Sequence, residues 1–69
     1  MSNPDEYAVG DLVRLKDSRD KTRQLGIITE IKERVQIKSV GAAAIVMVHW
    51  FLISDTDWEY TFFLEKLDK

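Results

Sequence analysis

The sequence predicts an all-β fold of about five short antiparallel strands. The first observation is the run at residues 45–51 (IVMVHWF), which is rich in β-branched and aromatic side chains and so favours a strand. The second is the recurrence of Trp58, Tyr60 and Phe62 at period two, which is typical of another strand. The polar residues 54–57 (SDTD) between them predict a turn, so the two strands form a hairpin.

Length and composition set the limits of this fold. The 69 residues predict one domain spanning 1–69, with 1–6 as a flexible N-terminus. The chain contains no cysteine, which excludes disulfides and thiolate metal sites and fits a reducing, cytoplasmic compartment. The longest apolar stretch, 42–53, has twelve residues, whereas a membrane span needs about 20, so no membrane is expected.

Shorter patterns predict the remaining elements. Residues 11–16 form the first strand, with Val13 and Leu15 facing inward, and residues 25–32 form the second. Gly26 marks a bulge, which could bring Ile27 and Ile28 inward together, or a close approach of two backbones. The other expected segments are a solvated loop (17–24), a short extension or separate ribbon (35–38), a loop (39–44), a 3-10 turn beginning at residue 63 or 64, and a last strand (64–67).

Alternation along residues 45–51 predicts two faces. One face carries Val46, Val48 and Trp50 and is expected to be core, with Trp50 meeting Trp58 or Tyr60 there. The opposite face carries the candidate interface residues Ile45, Met47, His49 and Phe51. An exposed apolar strip marks a contact surface, so we expect a homo-oligomer, such as a dimer, or docking on a partner protein. Two alternatives are that residues 35–44 cover the strip and that this strand is an unpaired edge.

Charge is unevenly distributed. Residues 14–38 hold eight of the ten Lys and Arg residues but only four of the twelve acids. This asymmetry indicates either ordinary solvated loops or a basic face for nucleic acid or an acidic partner. The candidate nucleic-acid contacts are Lys16, Arg19, Lys21 and Arg23.

The order of these segments, GDLVRLK, GIITEI, VMVHW, WEY and LEKL, resembles the SH3-like small barrel, in which five short strands form a partly open barrel. The sequence of these segments is also similar to short proteins of tailed phages, including those of marine cyanophages, over roughly residues 9–67. That resemblance implies a location in the host cytoplasm or the virion. The resemblance says little about function, because small barrels have many different activities. Barrels of the KOW type bind RNA through a basic loop near a glycine, and Gly26 follows the basic loop here in a comparable way.

Catalytic chemistry is not expected. The single histidine, His49, lies within a strand and has no evident nucleophile or co-ligand beside it in the sequence. Asp55 and Asp57 provide too few oxygens for a calcium loop, and the three glycines are scattered rather than grouped as a phosphate-binding loop. We therefore expect a non-catalytic module with no cofactor, no metal and no small-molecule substrate.

Overall fold

The computed structural model describes residues 7–16 and 21–67, and this part of the chain is all-β. The sequence prediction of the fold class is therefore confirmed. The strands are β1 (Leu12–Leu15), β2 (Gly26–Ile37), β3 (Gly41–Trp50), β4 (Asp55–Tyr60) and β5 (Leu64–Lys66). Two 3-10 turns lie at Lys21–Arg23 and Thr61–Phe63. The second precedes the last strand, as predicted, but it begins at Thr61 and not at residue 63 or 64.

The five strands form one antiparallel sheet in the order β4-β3-β2-β1-β5. The sheet is open because β4 and β5 are its two edges and do not pair with each other. It nevertheless curls, since Val13 of β1 and Leu64 of β5 share a buried cluster with Val46 and Val48 of β3. This curl gives a small chain a closed core from a single sheet.

The long strand β2 changes which side chains face the core at two register shifts. The shifts lie between Ile28 and Glu30 and between Ile31 and Glu33. Because one extra residue reverses the alternation, Ile28 lies opposite Val48 and Ile31 lies opposite Val46 on the same inner face. The predicted bulge therefore occurs further along the strand than Gly26–Ile28.

The alanine-rich segment is strand rather than the expected loop. Residues 42–44 pair with β2, and the hairpin turn lies at 38–40, just before Gly41, whose φ of +97° suits glycine. The Ala44 N–H donates a 2.9 Å hydrogen bond to Thr61 Oγ1, and both residues are buried. Tertiary pairing thus overrides the helical preference of alanine here. Residues 35–37 belong to β2 and form no separate ribbon.

The second hairpin turn occupies residues 51–54, not the predicted 54–57, and β4 already begins at Asp55. This position sets the register of the whole hairpin: Trp50 lies opposite Asp55 and Met47 lies opposite Trp58. The expected contact of Trp50 with Trp58 or Tyr60 in the core is therefore wrong. Both aromatic side chains of β4 lie on the outer face, because they pair with outward-facing residues of β3.

Val46, Val48 and Trp50 are fully buried, so the predicted side-chain alternation of this strand is confirmed. At Gly26 the close approach is mainly by buried side chains rather than by a second backbone, because a Cβ placed there would lie 2.6 Å from Val48 Cγ1 and 2.7 Å from Trp50 Cε3. Tyr7 closes one end of the barrel and donates a 3.1 Å hydrogen bond from its hydroxyl to the Leu64 carbonyl.

Candidate functional site

The outer face of β3 and β4 carries a continuous apolar surface. Two cross-strand rows build it: Met47 beside Trp58, and Ile45 beside Tyr60. The 3-10 turn that follows β4 extends the surface with two phenylalanines. We call the whole set the outer apolar surface, and it consists of Ile45, Met47, Trp58, Tyr60, Phe62 and Phe63.

Its aromatic side chains contact one another but remain open to solvent. The rings of Tyr60 and Phe62 stack at 5.0 Å between centroids, and those of Phe62 and Phe63 lie 4.5 Å apart. Even so, Trp58 is 42% exposed, Tyr60 40% and Phe63 51%. Neighbouring exposed rings of this size are characteristic of protein contact surfaces.

The structure separates the four candidate interface residues into two groups. Ile45, Met47 and His49 lie on the outer face of β3 and are half-buried by neighbouring strands. Phe51 lies in the following turn, where it is exposed and makes an edge contact with His49 at 5.4 Å between ring centroids. The outer apolar surface therefore continues towards β4 rather than towards Phe51.

Neither alternative for the strip matches this arrangement. Strand β3 pairs with β2 on one side and with β4 on the other, so it is not an edge. Residues 35–37 pair with residues 41–43 within the same sheet, and 38–40 form the turn between them, so this segment does not lie over the strip.

Three charged side chains of β2 border the outer apolar surface. Glu30 lies opposite Met47 and Glu33 lies opposite Ile45, so both carboxylates are on this face. The Lys32 ammonium lies 5.3 Å from the centre of the Trp58 ring, within the range of a cation–π contact. The surface thus has an apolar centre with both signs of charge at one margin.

The aromatic residues after the turn are the part of this surface that the sequence prediction placed elsewhere. The sequence predicts Trp58 or Tyr60 as the core partner of Trp50, but both the predicted turn at 54–57 and the observed turn at 51–54 place these two aromatic residues opposite odd-numbered, outward-facing positions. Had the turn been set at 51–54, alternation along β3 and β4 would have placed them opposite Met47 and Ile45. Ser54 does not distinguish the two turns, because it lies in both, and its φ of +50° is known only from the structure.

The candidate basic residues do not form one free row in the described chain. Lys16 and Lys21 are exposed, and Arg19 falls outside the described residues. Arg23 is only 26% exposed, and one of its guanidinium nitrogens lies 3.2 Å from the carboxylate of Asp57. Arg23 therefore faces an acidic neighbour, which competes with any phosphate for its charge.

The inner face of β4 carries three acids at alternate positions, Asp55, Asp57 and Glu59, which lie opposite the buried residues of β3. Partial burial raises the pKa of Glu59 above its usual value; the negative charge of Asp57 adds to this, and Arg23 opposes it. The pKa shift therefore reflects burial first and the neighbouring carboxylate of Asp57 second. We call these three residues the acidic row.

A shallow groove of about 360 Å³ lies between the first 3-10 turn and the β3–β4 turn. Leu25, Phe51 and Leu52 provide its apolar lining, and Lys21 lies at its margin. Thr22 and Gln24 complete its lining.

Within residues 7–16 and 21–67, no three His, Cys, Asp or Glu side chains form a group that could hold a metal ion. None of the helical segments in these ranges is long and apolar enough to cross a membrane. Searches against protein-family models, curated proteins and solved structures found no match for this chain.

Proposed function

We propose that this protein is a small non-catalytic interaction module that self-associates through the outer apolar surface. The observation that carries the proposal is the joining of half-buried Ile45 and Met47 to three large aromatic side chains that are each about two-fifths or more exposed. Leaving these rings in water forgoes roughly 25 cal/mol for each Å² of apolar surface that a partner would cover.

The charged margin favours a second copy of the chain as the partner. A two-fold dimer brings the same patch of both subunits together, and when its axis runs across the strands the charges at this margin meet the same margin of the other subunit. Glu30 and Glu33 flank Lys32 along β2, and all three border the surface. In a two-fold arrangement the lysine of one subunit can pair with a glutamate of the other, which makes the patch self-complementary.

The test is the molar mass in solution, measured by light scattering at two protein concentrations. We expect twice the chain mass of 8.0 kDa at the higher concentration. Trp58→Glu should restore the mass of a single chain, because a buried carboxylate at the centre of the contact has no partner. Since Trp58 is already 42% exposed in the single chain, the variant should keep its far-ultraviolet circular dichroism spectrum.

Val9→Glu is the matched control, because Val9 is a 61% exposed apolar residue outside the outer apolar surface. It should leave the dimer intact. A wild-type protein that remains a single chain at high concentration, or a Trp58→Glu variant that remains a dimer, contradicts the proposal. If Trp58→Glu fails to fold, Phe63→Glu provides the same test from the adjacent turn. Binding of RNA or DNA by a single chain, with affinity falling steeply with salt, would instead favour the basic residues as the functional surface.

A further inference from the structure

Strand β4 is an open edge of the sheet. It pairs with β3 on one side, and within the described ranges no strand lies against its other side. An exposed strand edge presents a row of backbone donors and acceptors that another extended chain can pair with. Two features therefore determine which chain can bind this edge: the backbone groups that are free to pair and the side chains beside them.

The hydrogen bonds of β3 determine which groups of β4 point outward. Ala44 N–H donates to Thr61 Oγ1 on the β4 side, while Phe51 N–H donates to the Leu25 carbonyl on the β2 side. Even-numbered residues of β3 therefore direct their backbone groups towards β4, and odd-numbered residues direct theirs towards β2. Since Val48 lies opposite Asp57, these two residues exchange backbone bonds.

It follows that Thr56 and Trp58, at the intervening positions, direct their backbone N–H and C=O groups to the open side. A contact within the chain agrees with this assignment. The Thr56 N–H donates a 2.9 Å hydrogen bond to the carboxylate of its neighbour Asp55 and not to β3. The edge thus offers the backbone groups of Trp58 to an incoming strand directly and those of Thr56 by displacing a surface contact.

The two faces of β4 differ sharply in chemistry. The inner face presents the acidic row, and the outer face presents Trp58 and Tyr60. A strand added beside β4 would continue both faces, because its side chains alternate in the same way. Its inward positions would face carboxylates, and its outward positions would extend the outer apolar surface.

A second copy of β4 is a poor occupant of this edge. Two antiparallel copies in any register that keeps the faces matched place acidic rows side by side. For example, centring the pair on Trp58 puts Asp57 of one copy opposite Glu59 of the other. Like charges directly opposite one another destabilise a strand pair, and inward-pointing charges are a recognised way of preventing edge-to-edge association.

We propose that the β4 edge binds an extended segment of a partner protein with lysine or arginine at alternate positions and apolar residues between them. Backbone hydrogen bonds to Thr56 and Trp58 hold the segment, and Asp55 and Glu59 select its basic side chains. Asp57 contributes less, because Arg23 already pairs with it. This inference does not depend on self-association through the outer apolar surface, since no described strand of the single chain pairs with this edge.

The test uses a synthetic seven-residue peptide of alternating lysine and valine, blocked at both ends. The control peptide has the same composition with its lysines consecutive. At near-saturating alternating peptide we expect amide hydrogen exchange at Trp58 to slow by at least about tenfold, because a new hydrogen bond protects it. Exchange at Asp57 and Glu59 should change little, since β3 already pairs with their amides.

Charge selection is tested with Glu59→Gln, which should weaken binding of the alternating peptide by about three- to tenfold while the protein stays folded. Glu30→Gln is the matched control, because Glu30 lies on the outer face of β2 and away from the acidic row; it should leave the affinity unchanged. Equal binding of the two peptides, or binding without protection of Trp58, would overturn the proposal, as would a failure of the alternating peptide to bind.

Discussion

Gly26→Ala is the sharpest test of the packing that forms this barrel. The added Cβ would lie 2.6 Å from Val48 Cγ1, 2.7 Å from Trp50 Cε3 and 3.0 Å from the His49 carbonyl oxygen. Both side chains are fully buried, and the oxygen belongs to the backbone, so none of the three can easily withdraw. Overpacking of this kind costs about 1–3 kcal/mol, and the lower chain entropy of alanine returns about 0.4–1 kcal/mol, for a net loss of about 1–2 kcal/mol.

Such a loss is measurable by urea denaturation followed through tryptophan fluorescence. In a chain of this length, about 1 kcal/mol corresponds to a fall of roughly 4–8 °C in melting temperature. The second variant is Val48→Ala, which removes the Cγ1 atom nearest to the new methyl group. In the double variant the contact with Val48 is removed while those with Trp50 and the His49 carbonyl remain, so the two costs should fall short of additive by up to about 1 kcal/mol.

Gly41→Ala is the control for this pair. A Cβ at Gly41 meets nothing within 4 Å, but its φ of +97° strains any other residue. It should also destabilise the protein, by about 1–2 kcal/mol, yet Val48→Ala should not rescue it because the cause is backbone strain. If the free energies of Gly26→Ala and Val48→Ala are simply additive, or if Gly26→Ala is as stable as the wild type, the proposed packing at Gly26 is wrong.

Two titratable groups give further predictions. Tyr7→Phe should cost about 1 kcal/mol at neutral pH, because it leaves the Leu64 carbonyl without its hydrogen bond. Burial raises the pKa of the Tyr7 hydroxyl, so the wild type should lose stability as the pH rises above about 10. Tyr7→Phe should lose less stability over the same pH range. Thermal melts of both proteins across that range measure the difference. Glu59→Gln should raise the melting temperature at pH 7, because the folded state raises the pKa of this carboxyl and so disfavours its ionised form. That gain should disappear below the ordinary glutamate pKa, where both states are protonated; a gain that persists at low pH would show that charge is not its cause.

Local patterns predicted the secondary structure well where alternation and apolar content agreed. Val13, Val46, Val48 and Trp50 were assigned to the core from parity alone, and all four are fully buried. The prediction of a loop for the alanine segment was wrong because three alanines have no marked strand pattern. Only pairing with β2 and contact with Thr61 make this segment a strand. The predicted position of the β3–β4 turn was wrong because the apolar residues at 51–53 look like a continuation of the strand, whereas they form part of an exposed turn.

In the candidate site, too, the local pattern predicted some positions and the pairing of strands decided the others. The outward position of Ile45 and Met47 followed from the sequence, because alternation along one strand is a local property. The addition of Trp58 and Tyr60 to that surface did not follow from the sequence, because it depends on the register between two strands. A shift of one residue in that register moves every side chain to the other face.

The sequence by itself determined the all-β fold class and the buried face of its central strand. Only the tertiary structure decided that β4 is an edge, that its acids face inward and that its aromatic rings join those of the next turn. The physical reason is that burial follows from the polarity of each residue, whereas register and edges follow from how separate strands meet, and no single segment contains that information.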